Sequence, residues 1–192
     1  MNEQITQKIL EELNQTKEEF WNISSETSNF LQIIINTIKP QNILEIGTSN
    51  GFSSLQMNLT AHKLNPPPQI ITLEKRPDWA PIAEKNIAKS ESTNITLIIG
   101  NALETIPKLK EKINPNLQFN LIFIDAMKRQ YIEYIKLLES NNLLSKKCII
   151  LADNVISHSK KVEEYINYVK QNPAYFSKTL NIGPGLEITI KK

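Results

Sequence analysis

The chain predicts an α/β fold: a mostly parallel sheet of seven strands with helices on both faces, closing in an antiparallel strand pair. Three observations carry that prediction. Short, almost wholly apolar runs alternate five times with helical patterns, as strands covered on both faces must. The connections between them are short. The last two runs, Phe176 to Ile182 and Leu186 to Ile190, alternate like an exposed hairpin joined through Gly183-Pro184-Gly185.

The elements follow in order. Ile5, Ile9 and Leu13 recur at four-residue steps, which predicts an amphipathic N-terminal helix ending near Trp21. Ser24 or Ser25 can cap the next helix, whose apolar face is Phe30, Leu31, Ile34, Ile35 and Ile38 and which Pro40 closes. Ile43 to Ile46 is the first strand. Asn65-Pro66-Pro67-Pro68 is a stiff connector. Ile70 to Glu74 is the second strand, Asp78 to Lys89 a helix, and Ile95 to Gly100 the third strand. Ala102 to Ile113 reads as a helix bent or delayed by Pro107. Phe119 to Asp125 is a strand, Gln130 to Asn141 a helix, Cys148 to Ala152 a strand and Ser159 to Gln171 a helix.

With 192 residues the chain suits one domain, 1–192, with residues 1–22 as a helical extension. Its net charge of +2 is too mild to argue for nucleic acid or an anionic membrane. Cys148 is the only cysteine, so neither an internal disulfide nor a thiolate metal cluster can form, and a reducing compartment is expected. It opens the run Cys148-Ile149-Ile150-Leu151 and reads as a buried small hydrophobe. The first residues carry no signal pattern, and the longest apolar cluster, Leu31 to Ile38, is too short to span a bilayer. A cytoplasmic protein is expected.

The chemistry starts at the first strand. Glu45-Ile46-Gly47-Thr48-Ser49-Asn50-Gly51 leads into Phe52-Ser53-Ser54-Leu55: strand, glycine turn, helix start. Gly47 opens backbone conformations closed to other residues, and the helix start offers free N–H groups to a polar ligand. Thr48 and Ser49 stand where a dinucleotide fingerprint needs its second glycine. The Glu-x-Gly-x-x-x-Gly spacing instead resembles motif I of S-adenosylmethionine (SAM)-dependent methyltransferases of Rossmann-like fold.

In an open parallel sheet, ligands bind beyond the carboxyl ends of the strands. The strand assignment puts Gly47, Glu74, Asn101, Asp125 and Asp153-Asn154 along that edge. Glu74 is the candidate for two adjacent ribose hydroxyls, because a carboxylate accepts from both. Asp125, Asp153 and Asn154 form an all-oxygen set suited to Mg²⁺, Ca²⁺ or Mn²⁺, not to zinc. Lys128, three residues after Asp125, is a candidate base beside those carboxylates. His62 and His158 are isolated and read as surface histidines.

Asp125-Ala126-Met127-Lys128 with Tyr131, followed by Asp153-Asn154-Val155, resembles the metal-dependent small-molecule O-methyltransferases, the group of catechol and caffeoyl-CoA O-methyltransferases and short bacterial relatives. The likeness runs from about Phe30 to the C-terminus. It implies that Glu45, Gly47, Ser49, Gly51 and Ser53 serve the methionine side of SAM and Glu74 its ribose. Asn101 and Ala102 lie near the adenine. Asp125 approaches the SAM amino group and, with Asp153 and Asn154, holds the divalent metal. Lys128 is the general base. The implied reaction moves the SAM methyl to a hydroxyl of a small catechol-like or phenolic acceptor with vicinal oxygens, after Lys128 takes the proton. A homodimer is implied as well.

Five positions depart from the pattern: Ser28-Asn29 for Gly-Gln, Asn101 for an acid, Met127 for a frequent acid, a short Ile156-Ser157-His158 loop, and Gly183-Pro184-Gly185 for Gly-Asp-Gly. Two further readings stay open. One is a tRNA hydroxyuridine O-methyltransferase of the same family, and the other a non-catalytic binding or dimerisation protein.

Overall fold

A computed structural model describes residues 1–192. Its centre is one seven-stranded sheet in the order β3-β2-β1-β4-β5-β7-β6. The strands are β1 (Asn42–Ile46), β2 (Gln69–Glu74), β3 (Ile95–Ile99), β4 (Phe119–Ile124), β5 (Leu144–Ala152), β6 (Tyr175–Leu180) and β7 (Leu186–Lys191). The first five are parallel, and β7 pairs antiparallel with both β5 and β6.

From β1 the chain builds outward through β2 and β3, then returns to add β4 and β5 on the other side. The sheet's switch point therefore falls between β1 and β4, where a ligand crevice opens at the carboxyl ends. Register fixes what meets there. Ile46 lies beside Leu73 and Ile124, and Ile124 beside Ala152. The residues that follow these strand ends, Gly47, Asp125 and Asp153, are thus brought to one rim.

Alternation along each strand sorts the core into two layers. Leu44, Ile46, Ile71, Leu73, Ile122, Ile124 and Ile150 face α6 (Ala102–Thr105), α7 (Leu109–Lys112), α8 (Tyr131–Ser140) and α9 (Ser159–Gln171). Ile43, Ile70, Leu121, Phe123, Ile149 and Leu151 face α3 (Ser25–Ile38) and α4 (Phe52–Ala61). Outside α4, Ile9, Leu10 and Leu13 of α1 (Glu3–Gln15) close on Leu55 and on Ile87 of α5 (Ala80–Lys89).

Several boundaries differ from the sequence expectation, each for a local reason. The first helix does not reach Trp21: it ends at Gln15, and α2 (Lys17–Phe20) follows as a separate turn. The Asn22 side chain takes the Leu13 carbonyl at 3.0 Å, which satisfies the broken end. The helix expected from Asp78 starts at Ala80, because Asp78 is bound to the Arg76 guanidinium at 2.6 Å. The segment 102–113 is split into α6, a 3₁₀ turn over Ile106–Lys108 and α7, since Pro107 has no N–H to donate. β5 starts at Leu144, ahead of the apolar run, through a register shift against β4. The last strand pair is not an exposed hairpin. β7 is interior, with Leu186, Glu187 and Thr189 fully buried. Glu187 lies within the run expected to be exposed, yet the Ser177 and Thr179 hydroxyls of β6 donate to its carboxylate. No helix is long and apolar enough to cross a membrane.

Candidate active site

The turn after β1 is pressed against the end of β4. Gly47 has φ +105°, and a Cβ there would lie 2.1 Å from the Asp125 carbonyl oxygen. Only glycine permits this approach. Beyond it, the Ser49 N–H donates to Glu74 Oε2 at 2.7 Å, and the Arg76 N–H donates to Oε1 at 2.8 Å. Glu74 is thereby locked between two turns, while its remaining acceptor capacity stays open to ligand hydroxyls. The Ser49 hydroxyl donates to the Phe20 carbonyl at 2.7 Å, tying the N-terminal segment to the glycine turn.

Three expected cofactor residues lie elsewhere. Glu45 is not on the cavity wall but fully buried beneath it. Its carboxylate accepts from the Ser53 and Ser54 hydroxyls and from Thr72 Oγ1. Burial pushes its pKa up to about 7, against the pull of those three donors. Gly51 faces Ala83 of α5, away from the cavity. Asn101 caps α6, its Oδ1 accepting from the Leu103 N–H at 3.1 Å, and does not line the cavity. Ala102, Ser49, Ser53, Gly47 and Glu74 do line it.

On the other side of the switch point, Lys128 sits in a 3₁₀ turn and donates from Nζ to Asp125 Oδ1 at 2.6 Å. Both side chains are about one-sixth exposed, at 16% and 15%. Asp153 is 1% exposed. It accepts from Thr27 Oγ1 at 3.3 Å and from Asn154 Nδ2 at 3.5 Å. Burial and then the neighbouring Asp125 charge raise its pKa, while the Asn154 backbone, Lys128 and Thr27 oppose them. Tyr131, buried under this rim, directs its hydroxyl to the carbonyls of Ile124 and Asp153, at 3.2 and 3.1 Å.

The donor set fits a hard divalent cation. No three His, Cys, Asp or Glu side chains are placed so that they could hold a metal ion by themselves. What gathers is the carboxylates of Asp125 and Asp153 with the Asn154 amide beside them, its Nδ2 turned to Asp153 and its Oδ1 left as a further oxygen donor. A carboxyl as buried as Asp153, beside a second one, is costly when ionised and gains most from a nearby positive ion.

All these groups open into one cavity of about 1380 Å³, large enough for a cofactor and a small acceptor together. Asn22 Oδ1 and Asn50 Nδ2 are buried without a protein partner, and both residues line it. Such orphaned groups suit a polar ligand such as SAM. Sequence reasoning missed the aromatic wall. Trp79 packs on Phe20 at 5.6 Å and edge-on to Trp21 at 5.3 Å, and the Arg76 guanidinium lies 3.7 Å over its ring. It also missed Thr27, and it read His158 as an isolated surface residue although His158 lines the cavity. Nothing in spacing alone signals these meetings, which join segments far apart in the chain.

Comparison with known proteins gives the fold and the site their context. Catechol O-methyltransferase B of Danio rerio is 34% identical over 157 residues, 81% of this chain and 57% of that protein. The catechol O-methyltransferase of Niastella koreensis is 35% identical over 144 residues, 74% of this chain and 62% of that protein. This chain thus spans about three-fifths of the length of these relatives. The crystal structure of the O-methyltransferase from Bacillus cereus in complex with S-adenosylhomocysteine superposes with a TM-score of 0.81 at 23% identity, covering 96% of this chain and 91% of that one, a shared fold. The model of the O-methyltransferase family matches residues 2–190, nearly the whole chain, and the chain belongs to that family.

Proposed function

We propose that this chain transfers the methyl group of SAM to a hydroxyl of a small catechol-like acceptor beside a divalent cation. One observation carries the reading: the Gly47 turn and Asp125 are in backbone contact, so the cofactor-side turn and the acid–lysine pair share one cavity wall.

In this reading the Gly47–Ser49 turn seats the methionine portion and Glu74 accepts from the ribose hydroxyls. Asp125, Asp153 and Asn154 would hold the cation, Mg²⁺ being the first choice for an all-oxygen set. Bound there, a divalent cation supplies Lewis acidity that lowers the pKa of an acceptor hydroxyl. Lys128, held at the rim by Asp125, acts in this reading as a neutral amine: Nζ first gives one ammonium proton to solvent and then receives the acceptor proton. The acceptor oxygen then forms its bond to the methyl carbon as the C–S bond breaks, and S-adenosylhomocysteine departs. Much of the acceleration comes from alignment of oxygen, methyl and sulfur. Phe20, Trp21 and Trp79 form an aromatic stretch of the cavity wall.

The test is transfer of labelled methyl from SAM to catechol, and to tRNA as the competing acceptor, with Mg²⁺ and with EDTA. Methylated catechol formed only with the metal supports the reading. Full activity in EDTA removes the cation from it, and transfer to tRNA alone replaces the acceptor.

A further inference from the structure

The wall of the cavity beside the acid pair carries cations that the mechanism leaves unused. Arg129 follows Lys128 directly, and Lys161 lies in the first turn of α9; both are exposed and both line the cavity. The connection from the metal-side residues to Lys161 is short and rigid. The His158 N–H donates to the Asn154 carbonyl at 3.0 Å, and the Lys161 N–H donates to the His158 carbonyl at 2.8 Å.

The other cations around this cavity are of two kinds. Arg76 is bound to Asp78 and Lys128 to Asp125; Lys17 in α2 and Lys75 after β2 enter no ion pair but belong to the cofactor side, and Arg129 and Lys161, next to the acid pair, enter none either. Glu26, an acid that also lines the cavity, accepts from Ser25 Oγ at 3.2 Å and from neither cation. A bound cation and the SAM sulfonium would add further positive charge.

We propose that the acceptor carries an anionic substituent, a carboxylate or a phosphate-like group, next to its reacting diol, received by Arg129 and Lys161. The proposal rests on the catechol reading above and narrows its substrate class. Uncompensated charge on one wall favours the ligand of opposite sign and disfavours its cationic analogue. A dihydroxybenzoate fits this wall, its methyl ester meets it without a charge, and a catecholamine meets it with the wrong one.

The experiment compares kcat/KM for 3,4-dihydroxybenzoate, its methyl ester, dopamine and 3,4-dihydroxybenzylphosphonate, with SAM and Mg²⁺. Calorimetry of the same four compounds is run with S-adenosylhomocysteine and Mg²⁺. The benzoate is expected to exceed the ester about five- to ten-fold and dopamine by more. Its advantage falls toward one in 0.5 M NaCl, where exposed charges are screened, and also in the Arg129→Ala/Lys161→Ala double variant. A phosphonate preferred over the benzoate assigns the anion as phosphate-like. Equal kcat/KM for benzoate and ester, or a preference that survives the double variant, overturns this inference and leaves the catechol reading intact. If none of the four is methylated or bound, both fall.

Discussion

Glu45 and Asp153 make an instructive pair. Both are essentially fully buried carboxyls of the same sheet, separated by β4, and burial raises the pKa of both. Their surroundings differ. Glu45 receives three hydroxyl donors from β2 and α4. Asp153 has one hydroxyl at 3.3 Å and one amide at 3.5 Å, and faces a second carboxylate. The first site is completed by the protein itself. The second has fewer and longer donor contacts, and the proposed cation site rests on that shortfall. Buried acid alone therefore does not mark function; the balance of donors does.

The sharpest way to break this comparison is to remove each carboxylate. Asp153→Ala is expected to reduce metal-supported methyl transfer by about 1000-fold or more. Its melting temperature in EDTA should equal or exceed the wild-type value, because an under-compensated charge is gone. Glu45→Ala leaves three buried hydroxyls without their acceptor and should cost on the order of 3 kcal/mol of stability by urea unfolding. If Asp153→Ala destabilises the protein as much as Glu45→Ala, the two sites are not different in kind.

Next in size is Lys128→Ala. A general base contributes about 10²- to 10⁴-fold, so kcat should fall within that range while the SAM dissociation constant stays within about three-fold. An unchanged kcat would leave Lys128 as no more than the partner that orients Asp125.

How far this contrast could be read in advance is itself informative. Ile46, Glu74, Ile124 and Ala152 end apolar runs in the sequence, and runs buried on both faces show their ends plainly. The rim positions of Gly47, Asp125 and Asp153 were legible for that reason. Glu45 was placed on the cofactor side by its resemblance to the acid of motif I. Its true neighbours, Ser53, Ser54 and Thr72, are unremarkable polar residues in sequence. Thr27 meets Asp153 across 126 positions, and Trp21 meets Trp79 across a gap less than half as long. Periodicity reports which residues are buried, and is silent about which distant segments touch. The run Leu186 to Ile190 shows the converse error: read as part of an exposed hairpin, it holds the fully buried Glu187.

A pH series separates the two carboxyls further. Glu45 has a folded pKa of about 7 against 4.5 for the free side chain. Between those values the native state keeps a proton that the unfolded state has released, so stability falls as pH rises, by about 1.4 kcal/mol per unit and about 3 kcal/mol in all. Below 4.5 both states are protonated and this term is flat. Asp153 adds loss of the same sign, its pKa being raised too. Excess Mg²⁺ should cancel the Asp153 part by favouring its ionised form and leave the Glu45 part untouched. Urea midpoints from pH 5 to 8, in EDTA and in Mg²⁺, read both parts, and Glu45→Gln should flatten what Mg²⁺ leaves. A slope indifferent to Mg²⁺ would place no cation at Asp153.

The smallest expected effect tests the contrast from the donor side. Thr27 is fully buried, accepts from Ser24 Oγ at 3.2 Å and passes its own hydroxyl proton to Asp153 Oδ1. The Gly183 turn presses on this relay: a Cβ at Gly183 would lie 2.3 Å from Ser24 Oγ and 2.9 Å from Thr27 Oγ1. Thr27→Val keeps the volume and removes the donor, so Asp153 loses the hydroxyl that orients it. Groups that orient a metal-holding carboxylate typically change metal affinity by at least about ten-fold, and the long 3.3 Å contact argues for the low end. Titration of the protein with Mg²⁺, followed by the rise in melting temperature, should show affinity weakened about three- to ten-fold in Thr27→Val and restored in Thr27→Ser. SAM affinity without metal should not move. A Thr27→Val protein that binds Mg²⁺ like the wild type would mean that Asp153 is held by its strand end and Tyr131 alone, with the hydroxyl relay serving only to fasten α3 to the β6–β7 turn.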